Sequence, residues 1–127
     1  MRALVIDDSR AMRRIVGTIL KGFGYEVREA GDGRQALDVL EEGYVPDLAT
    51  VDWNMPVMDG LQFVAAVRSN PGWRSMTLMM VTSESEHTQI VRALAAGAHE
   101  YVIKPFTADA IRDKLALLGL LPLEAVL

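Results

Sequence analysis

The stretch Thr50-Val51-Asp52-Trp53-Asn54-Met55-Pro56 decides the fold, because a short apolar run ends there in a carboxylate and is then broken by a proline. With Leu48 and Ala49 before it, the run is continuous, which is typical of a buried parallel strand. Asp52 is then predicted to lie where that strand leaves the sheet. Ligands of open α/β sheets bind at the carboxyl ends of the strands, so we expect the chemistry of the protein at Asp52.

The rest of the chain repeats this alternation of an apolar strand and an amphipathic helix. The other candidate strands cover residues 3–6, 25–29, 78–81 and 101–103, and each is followed by apolar residues at helical spacing. Five such units with short connections predict an α/β fold, a doubly wound five-stranded parallel sheet with five helices. The same spacing predicts that several apolar side chains turn toward the sheet, among them Ile15 of the first helix and Ile90, Val91 and Leu94 of a fourth helix that begins within residues 83–86.

The composition narrows the class of protein. The chain has 127 residues and a mass of 14.0 kDa, which suits one domain. No apolar run reaches the roughly 18 to 20 residues of a membrane span and no leader segment opens the chain, so we expect a cytoplasmic protein. Because there are no cysteines, oxygen atoms are the main metal ligands available. A net charge of −4 argues against a nucleic-acid interface.

Reactive side chains stand at the ends of four of the five predicted strands. Asp7 and Asp8 follow the first, Asp52 ends the third, Thr82 follows the fourth and Lys104 follows the fifth. The carboxyl ends of parallel strands share one edge, so these groups are predicted to converge. Two carboxylates about 4 Å apart repel by roughly 4 kcal/mol at an effective dielectric near 20, so three of them need a cation. Mg²⁺ together with Lys104 would meet that need.

Such a site suits phosphoryl transfer, in which catalysis is mostly positioning and charge neutralisation. Asp52 is the predicted nucleophile and would form an aspartyl phosphate. Each residue has a simpler interpretation when taken alone. Asp7 or Asp8 can be a helix cap, although Ser9 is also a candidate for that cap, Thr82 can be a strand-end residue and Lys104 a solvated lysine. A shared site is favoured because the simpler interpretations would all have to coincide at one edge.

The set Asp7-Asp8, Asp52, Thr82 and Lys104-Pro105, in this order and spacing, resembles the receiver domain of two-component response regulators. The resemblance extends over about residues 2–118, and the stretches 12–16, 52–56 with 58–60, and 101–107 are similar to the chemotaxis regulators of that family. It implies a receiver domain over residues 1–120, with the flavodoxin-like strand order 2-1-3-4-5. An apolar tail over residues 121–127 would follow that domain.

The resemblance also implies a role for each site residue. Asp52 would accept the phosphoryl group from a phosphohistidine of a sensor histidine kinase, or from a small donor such as acetyl phosphate. Asp7, Asp8, Asp52 and the backbone carbonyl of Asn54 would hold Mg²⁺ directly or through water. Lys104 would pair with the phosphoryl oxygens. A protein of this kind is a regulator and not an enzyme, although it promotes its own phosphorylation and dephosphorylation.

Further residues would carry the switch that the resemblance implies. Thr82 would move to hydrogen-bond the phosphoryl group, and Tyr101 would swing inward into the vacated space. This is a population shift of the surface formed by the fourth helix, fifth strand and fifth helix. Asn54 and Glu84 occupy positions that tune hydrolysis of the acyl phosphate in the family. The bond between Lys104 and Pro105 is expected to be cis.

The chain departs from the family pattern in two places. Ser83 stands where the family usually has alanine or glycine, so access to the site and the phosphoryl lifetime stay open. The apolar tail either folds back onto its own domain, forms a dimer contact or is the start of a truncated linker, which leaves a monomer and a weak dimer as alternatives. Trp53 and Met55, beside the nucleophile, can line the site or belong to the core.

The remaining basic residues fit surface positions better than functional ones. His87 and His99 are interpreted as surface residues, with His87 also a candidate for partner contact. Arg10, Arg13 and Arg14 form a solvated face of the first helix or, as the alternative, a docking site for a kinase or phosphatase.

The leading hypothesis is a stand-alone phosphorylatable switch of a chemotaxis pathway. Its partners would be a sensor histidine kinase, the flagellar motor switch protein and a phosphatase, with neither nucleic acid nor membrane. A stand-alone receiver of another pathway is the nearest alternative. A haloacid-dehalogenase-type phosphatase is disfavoured because its mechanism needs an aspartate two residues after the nucleophile, where this chain has Asn54. A flavodoxin is disfavoured because Asp7-Asp8-Ser9-Arg10 would repel a phosphate.

Overall fold

The computed structural model describes residues 1–83 and 87–121, in which five β-strands alternate with five α-helices. The strands are β1 (Arg2–Ile6), β2 (Glu26–Ala30), β3 (Leu48–Asp52), β4 (Thr77–Ser83) and β5 (Glu100–Lys104). The helices are α1 (Arg10–Gly22), α2 (Gly33–Glu41), α3 (Gly60–Arg68), α4 (His87–Ala96) and α5 (Ala108–Leu117), with a short 3₁₀ turn at Pro71–Trp73. The predicted alternation of strands and helices is confirmed.

The five strands form one sheet in the order β2-β1-β3-β4-β5, and every neighbouring pair is parallel. This is the doubly wound α/β class and the strand order that the resemblance implied. All five carboxyl ends therefore lie along the same edge of the sheet.

Two hydrophobic clusters cover the two faces of the sheet, as the two-residue period of a strand requires. In β1, Leu4 and Ile6 belong to one cluster, whereas Ala3 and Val5 belong to the other. The first cluster also contains buried residues of α2, α3 and α4, and the second contains buried residues of α1 and α5. Three helices thus cover one face and two cover the other, which buries the central strands β1, β3 and β4.

Side-chain caps start several helices at or near the edge that carries the reactive groups. Each capping oxygen accepts a hydrogen bond from the backbone N–H three residues further on. The capping residues are Ser9, Asp32, Asp59 and Thr107. Because Ser9 caps α1, the helix-cap interpretation of Asp7 and Asp8 is wrong.

Three predicted core positions are exposed. Ile15 of α1 is 50% exposed, and Val91 and Leu94 of α4 are 67% and 38% exposed, whereas Ile90 is buried. Helical spacing identifies the apolar side of a helix but does not say how wide a stripe the sheet can cover. Ser83, expected in the fourth helix, is the last residue of β4. The rest of the predicted start of that helix lies in residues 84–86, outside the described residues.

The chain after α5 returns toward the second cluster. Leu120 and Leu121 pack against it, and the Tyr25 hydroxyl donates a hydrogen bond to the Leu120 carbonyl. Residues 122–127 lie outside the described residues, so the prediction for the rest of the tail stays a prediction. Among the helices of the described part, none is long and apolar enough to cross a membrane.

Candidate functional site

The structure brings the predicted reactive side chains to one edge of the sheet. Asp7 directly follows β1, Asp52 is the last residue of β3, and Lys104 is the last residue of β5. Thr82 is the next-to-last residue of β4, where it is opposite Ile103 of β5. Parallel pairing of the strands therefore brings together residues that are far apart in the sequence. The periodicity of the chain made this pairing predictable.

Three carboxylates form a compact cluster at this edge. One oxygen each from Asp7, Asp8 and Asp52 can be chosen so that all three lie within 4.8 Å of one another. Asp7 and Asp52 are buried, whereas Asp8 is exposed. Oxygens bound to Mg²⁺ at about 2.1 Å in an octahedron are roughly 3 to 4 Å apart, so the cluster fits a hard divalent cation. These residues could hold a metal ion, with Asp8 facing solvent.

Lys104 bridges the two buried carboxylates. Its Nζ lies 3.3 Å from Oδ1 of Asp52 and 3.6 Å from Oδ2 of Asp7, and 26% of its side chain is exposed. A single ammonium thus faces two buried carboxylates, so the charge of the cluster is only partly neutralised. The peptide bond from Lys104 to Pro105 is cis, as the resemblance implied.

The surroundings of the two buried carboxylates, Asp7 and Asp52, favour their protonated forms. Burial, followed by repulsion from Asp7, raises the pKa of Asp52 to about 6, and Lys104 opposes this shift. The pKa of Asp7 is also raised, mainly by burial, although hydrogen bonding to Ser9 opposes this shift. A metal ion at the cluster would oppose these shifts, because its positive charge favours the ionised form of the carboxylates.

The loop between β1 and α1 is held by Arg13, which was predicted to lie on a solvated helix face or a docking site. Arg13 donates a hydrogen bond from a terminal guanidinium nitrogen to the Asp7 carbonyl oxygen at 2.6 Å and pairs with Glu29 at 3.1 Å. Only 18% of the Arg13 side chain is exposed. The solvated interpretation is therefore wrong for Arg13.

The side chain of Asp7 is itself oriented by the same loop. Its Oδ1 accepts a hydrogen bond from the Ser9 backbone N–H at 2.8 Å, which leaves Oδ2 on the side of Lys104. The backbone therefore fixes this carboxylate before any ligand binds.

The loop between β3 and α3 depends on Gly60. Its N–H donates to the Trp53 carbonyl at 2.9 Å, and a Cβ atom at this position would lie only 2.5 Å from the Asp52 carbonyl oxygen. Backbone atoms this close leave no room for any other residue. Trp53 and Met55, whose place was left open, are both buried in the first hydrophobic cluster.

The predicted switch residues lie on the neighbouring strands. Thr82 is 1% exposed, and Tyr101 is partly exposed and packs against the first cluster. Asn54 is exposed in the loop after β3. Glu84 lies outside the described residues, so its predicted role in hydrolysis stays a prediction.

One of the predicted surface histidines, His99, lies away from the carboxylates. His99 precedes β5 at the opposite edge, where its Nδ1 accepts from the Leu78 backbone N–H at 3.1 Å and lies 3.1 Å from a guanidinium nitrogen of Arg68. Burial and Arg68 lower the pKa of His99. Arg10 and Arg14 line a surface depression of about 350 Å³ on α1.

The side chain of His87 lies outside the described residues. Its candidacy for partner contact therefore stays a prediction.

Comparison with known proteins gives matches over nearly the whole chain. The family model "Response regulator receiver domain" matches residues 3–116. The "Chemotaxis protein CheY" of Pseudomonas aeruginosa is 40% identical over 116 residues, which are 91% of this chain and 93% of that protein. The structure of chemotaxis protein CheY4 from Vibrio cholerae superimposes with a TM-score of 0.83 at 34% identity and covers 91% of this chain and 96% of that one.

A receiver domain from a histidine kinase also has a similar fold. The signal receiver domain of a signal transduction histidine kinase from Syntrophus aciditrophicus superimposes with a TM-score of 0.83 at 27% identity. The match covers 92% of this chain and 88% of that one. The likeness therefore includes chemotaxis proteins and the receiver domain of a signal transduction histidine kinase.

Proposed function

The chain belongs to the response regulator receiver domain family, and from this membership we propose that it is a phosphorylatable switch of a two-component system. Asp52 accepts the phosphoryl group from a phosphohistidine of a sensor histidine kinase or from a small acyl phosphate. The observation that carries the proposal is the contact of Lys104 with Asp52 inside a cluster of three carboxylates.

The proposed step is an in-line displacement at phosphorus. An Oδ atom of Asp52 attacks, the bond from phosphorus to the histidine nitrogen breaks, and that nitrogen keeps the electron pair. A carboxylate with a pKa of about 6 is mostly ionised at neutral pH, and the positive charge of the proposed Mg²⁺ would lower the pKa of Asp52 further. Lys104, already 3.3 Å from Asp52, stabilises the negative charge on the phosphoryl oxygens.

Mg²⁺ is the proposed cofactor. Asp7, Asp8 and Asp52 would hold it together with the backbone carbonyl of Asn54, in agreement with the spacing of the three carboxylates. When bound, the ion neutralises charge shared between the carboxylates and the phosphoryl oxygens. Asp7 is suited to this role because the Ser9 N–H fixes its other oxygen.

Thr82 and Tyr101 are the proposed switch residues. The Thr82 hydroxyl would bond the phosphoryl group, and the Tyr101 ring would then move inward, which changes the surface of α4, β5 and α5. Asn54 and Glu84 would tune hydrolysis of the acyl phosphate. Family members of this kind act as regulators and not as conventional enzymes.

The proposed pathway is chemotaxis, with the flagellar motor switch protein as target and a phosphatase as a further partner. It is supported by the 40% identity to a chemotaxis protein, which extends over 93% of that protein. Such partners would place the chain in the cytoplasm, without nucleic acid or membrane, as a monomer or weak dimer. A stand-alone receiver of another pathway is the second candidate, favoured by the structural likeness to the receiver of a histidine kinase.

Beryllofluoride, which mimics a phosphoryl group on aspartate, tests the acceptor site through the fluorescence of buried Trp53. The protein carries Trp73→Phe so that Trp53 is the sole reporter. Beryllofluoride with Mg²⁺ is expected to change the emission saturably, with no change in Asp52→Asn and an unaltered change in Asp113→Asn, an exposed aspartate of α5. A response that survives Asp52→Asn would contradict the proposal.

The pathway is tested separately by pull-down with a flagellar motor-switch peptide. Capture only in the presence of beryllofluoride and Mg²⁺ supports the chemotaxis proposal. If beryllofluoride binds but the peptide is not captured, the second candidate is favoured.

A further inference from the structure

Lys114 of α5 contacts both Glu100 and Tyr101 of β5. Its Nζ lies 2.9 Å from Oε1 of Glu100 and 4.7 Å from the centroid of the Tyr101 ring. We propose that Lys114 and Glu100 are positioning residues that hold the Tyr101 ring in the place seen here and so set the balance of the switch. This inference rests on the proposed role of Tyr101 in switching.

Glu100 anchors the arrangement to the backbone of the residue that it positions. The same Oε1 that accepts from Lys114 also accepts from the Tyr101 backbone N–H, at 3.0 Å. In the described sheet β5 pairs only with β4, so one edge of β5 has no strand partner. The carboxylate thus satisfies a backbone donor of an edge strand and at the same time fixes where the ammonium can lie.

The environment makes this pair stronger than an ordinary surface ion pair. Only 21% of the Glu100 side chain and 28% of the Lys114 side chain are exposed. Charges that are largely out of water are screened less by salt and lose less side-chain entropy on pairing, because packing already restricts them. The ammonium therefore has a defined position relative to the ring.

The Tyr101 ring contacts both a charged group and apolar side chains. Lys114 lies over the ring, within the range of a cation–π contact, and the ring also packs against the first hydrophobic cluster. Because Glu100 tethers the ammonium, Lys114 cannot follow the ring inward and keep both contacts. Moving the ring inward therefore breaks its contact with Lys114. This contact favours the ring position seen here.

Through Lys114, helix α5 therefore affects the proposed switch residue Tyr101 directly. A population shift needs a difference in free energy between two states, and a contact made in only one state supplies such a difference. Removing the charge of Lys114 should move the free protein toward the activated ring position without touching the carboxylate cluster.

The test is fluorine NMR of the full chain labelled with 3-fluorotyrosine. The chain has three tyrosines, and Tyr101→Phe identifies the resonance of Tyr101. Spectra of the wild type are recorded with and without beryllofluoride and Mg²⁺. The difference between the two Tyr101 chemical shifts is the reference against which the variants are compared. In Lys114→Met, which keeps the apolar stem, the resonance of the free protein is expected to move by about a third or more of that difference toward the beryllofluoride position.

Two further variants separate positioning from a merely structural role. Glu100→Gln is expected to move the Tyr101 resonance in the same direction by a smaller amount, and Lys114→Arg, which retains a cation, to restore it. Lys21→Met in the last turn of α1 is the matched control and should leave the resonance in place. The resonance of buried Tyr25 reports whether each variant is folded.

The outcomes are distinguishable. If Lys114→Met and Glu100→Gln both leave the Tyr101 resonance at its wild-type position, the positioning role is overturned while the switch stands. If beryllofluoride moves no Tyr101 resonance in the wild type, the proposed switch fails, and the role of Lys114 in it is overturned as well.

Discussion

The Nζ of Lys104 lies 3.3 Å from Oδ1 of Asp52, and this pair joins the ends of two strands, β5 and β3, that are not neighbours in the sheet. The same ammonium is 3.6 Å from Asp7. One cation shared by two buried carboxylates cannot fully compensate either of them. Without a further cation, the electrostatic energy of the site is therefore unfavourable. Binding of additional positive charge would lower it.

Asp52→Asn is expected to stabilise the protein at high pH. The pKa of Asp52 in the fold is about 6, above its ordinary value of 3.8, so the folded state disfavours the ionised form. The penalty is fully present above pH 6 and is absent below about pH 4. A shift of this size corresponds to at most about 3 kcal/mol. We expect Asp52→Asn to raise the free energy of unfolding by about 1 to 3 kcal/mol at pH 8, and by much less at pH 4.

Urea denaturation of the wild type and the variant at both pH values measures this difference without Mg²⁺. The exposed Asp113→Asn should change the free energy of unfolding by less than about 0.5 kcal/mol at either pH. A gain that is equal at pH 8 and pH 4 would show that the charge of Asp52 is not its cause.

Mg²⁺ is expected to stabilise the wild type through the carboxylate cluster. A ligand at 100 times its dissociation constant adds about 2.7 kcal/mol to the free energy of unfolding. Asp8→Asn removes one of the three clustered carboxylates, and the one that is exposed, so it should weaken Mg²⁺ binding about tenfold or more. Thermal unfolding across a Mg²⁺ titration is the measurement, with Asp113→Asn as control. An unchanged titration midpoint in Asp8→Asn would remove Asp8 from the site.

Gly60→Ala is expected to destabilise the fold and to distort the loop beside Asp52. The added Cβ would meet the Asp52 carbonyl oxygen at 2.5 Å, and a backbone atom cannot move aside as a flexible side chain can. The expected loss is about 1 to 3 kcal/mol in the free energy of unfolding. The matched control is Gly22→Ala in α1, where no atom lies within 4 Å of the new Cβ, and it should be neutral or slightly stabilising. Equal losses in the two variants would contradict this account of Gly60.

Val57→Asn is expected to stabilise the loop that follows β3. Val57 has a φ of +70° and is 80% exposed, and the Met58 N–H donates to the Pro56 carbonyl at 2.7 Å across it. A β-branched residue is strained in a γ-turn of positive φ, and asparagine, which lacks the branch at Cβ, is strained less. We expect a gain of about 1 kcal/mol by urea denaturation. Val91→Asn, on the exposed side of α4, should give no such gain, and a loss in Val57→Asn would show that the turn is not strained.

The sequence best predicted the positions of residues that stand at the end of a strand. Asp7, Asp52, Thr82 and Lys104 could be placed on one edge because parallel strands have a common direction, and this needs only the periodicity of the chain. The order of the strands could not be obtained in this way and came from the resemblance. Periodicity also failed for Ile15, Val91 and Leu94, because the width of a buried helix face depends on the neighbours of that helix.

Contacts between side chains from distant segments were beyond sequence reasoning. Nothing in the sequence pairs Arg13 with the Asp7 carbonyl, or Lys114 with the Tyr101 ring, since each contact depends on how a helix is rotated against the sheet. The close approach of Gly60 to Asp52 is of the same kind, although the turn Met58-Asp59-Gly60 did indicate where α3 begins.

Intact-mass measurement after incubation with acetyl phosphate and Mg²⁺ tests the central claim most directly. The wild type is expected to gain the mass of one phosphoryl group, and Asp52→Asn and the sample without Mg²⁺ are expected to gain none. Lys104→Met should form little adduct, because the cation 3.3 Å from Asp52 would be gone. No adduct in the wild type, or an adduct that persists in Asp52→Asn, would contradict the assignment of Asp52 as the phosphoryl acceptor.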